Sequence, residues 1–142
     1  MESLLKDIQK TATKAVGSFQ ERANGGLDYS EASLALVEEM LGEASEYFTE
    51  LPDEQIDSLV QFFGCYILEI GRRQFGGTYS WLEQQQEPVL VVGEPMTHIA
   101  IATWGKVRAR LAGDPADNIQ FFFEGFSAQA RQLTPGKRTL YI

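Results

Sequence analysis

Tyr66-Ile67-Leu68-Glu69-Ile70-Gly71-Arg72-Arg73-Gln74-Phe75-Gly76-Gly77-Thr78-Tyr79-Ser80-Trp81-Leu82 decides the fold, because the periodicity of the chain changes within it. Upstream, Ile56, Leu59, Val60, Phe63, Ile67 and Ile70 recur at helical spacing, and Phe62 and Tyr66 widen the apolar face they form. Downstream the period is two, so Tyr79 and Trp81 share one face of an extended segment. Gly76-Gly77 separates the two patterns, since glycine takes left-handed backbone angles without steric cost. A helix over 54–75 and a strand over 78–82 are predicted. Arg72 and Arg73 fall in the last helical turn, where the helix dipole favours cations.

Before this stretch the pattern is helical. Leu5, Ile8, Ala12, Ala15 and Phe19 make one narrow stripe of a helix over 3–22, which Asn24-Gly25-Gly26 ends. Ser30 caps a second helix over 31–49, with Leu34, Val37, Leu41 and Phe48 on its apolar side. Leu51-Pro52 breaks that helix, and Asp53 is expected to cap the third. After the stretch, Gln84-Gln85-Gln86-Glu87 reads as a turn and Pro88–Gly93 as a buried strand. A third strand is predicted over 98–102. Trp104, Val107 and Leu111 then mark a helix, and Gly113-Asp114-Pro115 a boundary at which aspartate caps the next one. Ile119, Phe122, Phe123, Phe126 and Ala130 line that last helix, and 138–142 is an edge strand.

This order argues for an α+β fold: an N-terminal helix and a helical hairpin packed on a small antiparallel sheet, with two further helices. The expected organisation is an N-terminal amphipathic helix, 1–24, and a single α+β domain, 25–142. The stripe of the first helix serves either the domain or a homo-oligomer contact, and removing 1–24 is expected to leave a folded domain.

A chain of 142 residues with 44% apolar and 23% charged side chains can build one core. Its one cysteine, Cys65, allows neither an internal disulfide nor a paired-cysteine zinc site. There is no apolar run long enough for a transmembrane helix and no basic, apolar leader, so no membrane partner and a cytoplasmic location are expected. The net charge of −8 is unevenly spread. Residues 23–71 hold eleven acidic residues and no basic one, between two mildly basic ends. Such a chain is a poor binder of phosphate backbones, so no nucleic-acid partner is expected. Lys106, Arg108, Arg110, Arg131, Lys137 and Arg138 serve instead to complement the acidic helices, within the molecule or in a partner.

Chemistry-bearing clusters are few. Glu69 and Arg73 stand at i, i+4, and on a helical wheel Arg73 falls between Phe62 and Tyr66, inside the apolar arc. A cation there needs a partner, and Glu69 is the obvious one. Tyr66, Glu69, Arg73, Tyr79 and Trp81 therefore form a candidate ligand site, beside the simpler account of an ion pair pinning helix to strand. Arg73→Ala is expected to destabilise the fold. His98, the single histidine, lacks a nucleophile elbow or cysteine-protease context, which leaves no candidate catalytic residue. Glu39, Glu43 and Glu46 share a face, but the Glu-x-x-His pairs of di-metal bundles are missing, so no metal is predicted. No phosphate loop is present and no cofactor is implied.

Glu69-x-x-Arg72-Arg73-x-x-Gly76-Gly77-x-x-x-Trp81, the strand led by Pro88, Lys106-Val107-x-x-Arg110-Leu111 and Asp117-x-Ile119-x-x-Phe122-Phe123 form a familiar series. Together they resemble uncharacterised small α+β domains of bacteria, in which a helical hairpin precedes a small sheet. The resemblance covers residues 28–126, implies the same fold class and carries no activity. By elimination and by the charge segregation, a non-enzymatic protein-interaction or regulatory module (adaptor or immunity-like) is expected. The alternative is a small-ligand-binding protein or enzyme with a pocket around Glu69, Arg73 and Trp81.

Overall fold

The computed structural model describes residues 2–142. Five helices are α1 Glu2–Phe19, α2 Leu34–Ser45, α3 Asp53–Phe75, α4 Trp104–Leu111 and α5 Ile119–Gln132. Four strands are β1 Thr78–Leu82, β2 Glu87–Val92, β3 His98–Ile101 and β4 Arg138–Tyr141, in the sheet order β1-β2-β3-β4. The chain is thus α+β. β1–β3 form the expected antiparallel meander, with Tyr79 opposite Leu90 and Val92 opposite Ile99. β4 differs from expectation: it runs parallel to β3, His98 facing Arg138 and Ile101 facing Tyr141, so the sheet is mixed. Residues 102–137, which hold α4 and α5, bring the chain back to the same end of the sheet, and such a crossover makes parallel pairing possible.

The main core lies on the helix side of the sheet. Tyr79, Leu90, Val92, Ile99 and Ile101 share one cluster with side chains of all five helices. Val89, Val91, Ala100 and Ala102 make a smaller cluster on the opposite face. α3 is the axis of the packing. Every residue from Phe63 to Gly71 is buried, so this part of the helix is enclosed all round rather than on one face. Gly64 and Gly71 permit that enclosure, since a Cβ at 64 would overlap Trp104 and one at 71 would press on Leu90. Gly76 ends the helix at φ 76°, with its N–H donating to the Arg72 carbonyl, as the diglycine predicts.

α1 packs along α3. Ile8, Ala12 and Ala15 are buried there, and the Phe19 and Phe63 rings lie 4.8 Å apart. Its stripe therefore faces the same core as 25–142, and the division at residue 24 does not separate two cores. Local capping differs in detail from the sequence expectation. The Ser30 cap is present, but it closes a short 3-10 turn, Glu31–Ser33, before α2. Asp53 is the first residue of α3, not its cap. Asp114 caps the 3-10 turn Pro115–Asp117, and Asn118 caps α5 by accepting from the Phe121 N–H at 2.9 Å.

Candidate functional site

The last turns of α3 set Glu69 against β1. Its side chain is fully buried, and three groups satisfy it. Arg72 Nε and Nη2 donate to its two oxygens at 2.7 and 3.0 Å, and the Tyr79 hydroxyl donates at 2.8 Å. Arg73 is not the expected enclosed partner: its Nε lies 3.6 Å away and its side chain is 48% exposed. The wheel placed Arg73 inside an apolar arc, but that arc ends with α3 itself, and the guanidinium leaves the core to cover the Tyr29 ring at 3.5 Å. Burial pushes the Glu69 carboxyl up, but the Arg72 and Tyr79 hydrogen bonds and the two arginine charges outweigh it and hold the group below its ordinary value. Burial and the Glu69 charge push Tyr79 up, so the phenol keeps its proton and remains the donor.

Tyr66 faces a different neighbourhood. Its hydroxyl accepts from the Tyr29 N–H at 3.0 Å and lies 2.7 Å from Ser33 Oγ, and so ties α3 to the chain entering α2. Tyr29 bridges the two groups, its ring 4.9 Å from Tyr66 and beneath Arg73. Four of the five sequence-selected residues thus lie in one buried or half-buried network whose oxygens have partners inside the chain. Trp81 lies apart from it.

Trp81, on the end of β1, is 42% exposed and packs edge-on against Trp104, ring centroids 6.2 Å apart. The two indoles line a groove of about 350 Å³ between α1, α3 and the sheet. Its wall on α1 carries Leu4, Asp7, Thr11 and Lys14 along one face, with Lys10 beside them. Cys65 and Pro88 lie behind. Trp104 is seated by two local features: the missing Cβ of Gly64 makes room for its ring, and the Thr103 hydroxyl donates to the Gly64 carbonyl at 2.7 Å. Trp104 Nε1 is buried and makes no well-formed hydrogen bond among the described residues; its N–H acts on the Cys65 thiol, whose pKa it lowers against the larger effect of burial. Burial pushes the neighbouring Cys65 thiol up to about 12, so it stays protonated, and a thiol is a weak acceptor. Lys10 and Lys14 make no ion pair among the described residues.

Glu87, read from sequence as part of a turn, is instead the buried first residue of β2. One of its oxygens accepts from the Trp104 N–H at 2.8 Å, and the Gly105 N–H lies 3.4 Å from the same atom. A distant carboxylate thereby caps α4, at the end where the helix dipole favours negative charge. Burial raises its pKa, with the two N–H groups acting against it. The native protein therefore holds the Glu87 proton to higher pH than the unfolded chain does, and stability falls as pH rises through the interval between the two values. Glu87→Gln keeps an acceptor for the Trp104 N–H and is expected to remove this slope, leaving stability near neutral pH unchanged or higher. Urea unfolding of both proteins between about pH 4 and pH 8 checks it. A substantially less stable variant near neutral pH would show that the charge itself is needed.

The segregated charges meet within the chain. Arg110 pairs with Glu38 at 2.6 Å, Arg108 with Asp57 at 2.6 Å, and Arg131 with Glu31 at 3.0 Å. Arg22 pairs with Glu43, and Lys106 bonds to Asp117 at 2.9 Å. Glu38 also accepts from the Ile119 N–H at 3.0 Å. His98 Nδ1 lies 3.3 Å from Glu94 at the start of β3. No helix among the described residues is long and apolar enough to cross a membrane.

Comparison with protein-family models, curated proteins and solved structures gives no match.

Proposed function

We propose that the protein is a non-enzymatic regulatory module that binds a small ligand in the groove lined by Trp81 and Trp104. One observation carries this reading: the indole pair borders a cavity within the size range of small-molecule sites. The network around Glu69 supports a structural role instead, because its acceptors are filled by Arg72 and Tyr79. An adaptor role steered by opposed charged faces is the weaker reading, since Arg108, Arg110 and Arg131 are engaged with acidic residues of the same chain.

Both tryptophans of the chain line the groove, so intrinsic emission reports on it directly. A small-molecule screen read by emission and by melting temperature is expected to find ligands that shift both. At a hundredfold excess over Kd the stabilisation is about 2.7 kcal/mol, which is several degrees for a domain of this size. Trp81→Ala, at a half-exposed position, is expected to stay folded by circular dichroism and to lose the thermal shift. Ligands whose thermal shift persists in that variant would place the site elsewhere and overturn the reading.

A further inference from the structure

The groove is chemically asymmetric. One side is aromatic: Trp81 offers an exposed indole and Trp104 stands across it at 86°. The other side is α1, where Lys10 and Lys14 are one turn apart and leave their charge unmatched by any ion pair among the described residues. Among the described residues lining the groove Asp7 is the one acid, so their summed charge is positive. Cys65 faces the same space as a neutral thiol and does not offset that charge.

We infer that the groove takes a small aromatic carboxylate, its ring against Trp81 and Trp104 and its carboxylate toward Lys10 and Lys14. This rests on the groove being the binding site. An aromatic ring gains from an edge or offset contact with indole. A carboxylate makes charge-assisted hydrogen bonds with an ammonium group, roughly twice as strong as neutral ones. Asp7 opposes the ligand charge from the same wall, so it limits affinity.

The test titrates the full chain with naphthalene-2-carboxylate and with its neutral isostere naphthalene-2-carboxamide, following quenching of tryptophan emission. The carboxylate is expected to bind about tenfold tighter than the amide, a difference of one charge-assisted contact. That preference should shrink as salt is raised. Lys10→Ala with Lys14→Ala, both exposed on α1, should bring the two probes to equal affinity without changing the melting temperature of the free protein. Asp7→Asn should strengthen carboxylate binding and leave amide binding as it was. Equal affinity of the two probes for the unaltered protein overturns the assignment of an anion and leaves the groove as a site for neutral aromatics. Quenching by neither probe at millimolar concentration overturns the assignment together with the groove reading beneath it.

Discussion

A chain lacking residues 1–24 is expected to show no cooperative unfolding transition. α1 contributes buried Ile8, Ala12 and Ala15 to the main core, with Leu4, Leu5, Val16 and Phe19 partly buried at its margin. Its removal also uncovers Phe63 and the α3 surface around it. Full burial of each large apolar side chain is worth about 1.5–3 kcal/mol. In α1 Ile8 is fully buried and Leu4, Leu5, Val16 and Phe19 partly so; their loss, added to the exposure of Phe63, reaches the lower end of the stability of an ordinary domain, about 5–15 kcal/mol. Thermal unfolding followed by near-ultraviolet circular dichroism, where aromatic packing is visible, checks the expectation. A truncated chain that melts cooperatively within a few degrees of the full one would mean that residues 25–142 fold without α1.

Glu69→Ala is expected to cost about 3 kcal/mol in urea unfolding, near the lower end for breaking a buried charged pair. Two groups lose their acceptor: the Tyr79 hydroxyl, which is enclosed, and the Arg72 guanidinium, which is 26% exposed and can turn toward water. That escape is why the lower end applies. Arg73→Ala should change stability far less, because its contact with Glu69 is longer and its side chain is half in solvent. Acid titration separates the two cases further. The folded-state pKa of Glu69 is depressed, so its contribution is full above the pKa of an unfolded glutamate and is lost as pH falls through the folded value. The Glu69→Ala protein should therefore have a flatter stability profile on the acid side. Equal losses for Glu69→Ala and Arg73→Ala, with Arg72→Ala harmless, would reverse the assignment of partners.

The contrast between Arg72 and Arg73 shows where sequence reading stops. The end of α3 is legible, because Gly76 acts where it stands, whereas Ser30 caps a 3-10 turn and α2 begins only at Leu34. The apolar stripes of α1, α2 and α5 were legible too, since each meets the core along one side. α3 is enclosed from Phe63 to Gly71, so a wheel has no outside against which to place a charge. Residues 72 and 73 flank position 69 at similar angles, and only the docking of Tyr79 fixes which side is interior. Glu87 was missed for a related reason: a carboxylate beside three glutamines reads as a turn, and the helix it caps begins at Trp104. The groove was half legible. Trp81 was selected, but its neighbours Lys10, Lys14 and Trp104 are far away in sequence, and no pattern within α1 shows that it lies beside β1.

The parallel placement of β4 has a consequence for the order in which the molecule assembles. β1, β2 and β3 close on one another through short loops, a search over few residues. β4 finds its place only after residues 102–137 have condensed, because α5 touches both β3 and β4 and forms part of the seat. The last strand is joined by the longest loop closure in the sheet, and its residues are exposed or half-exposed. It is therefore expected to join late in folding and to be the first section of the sheet to open, which amide hydrogen exchange checks as weaker protection in β4 than in β2 and β3.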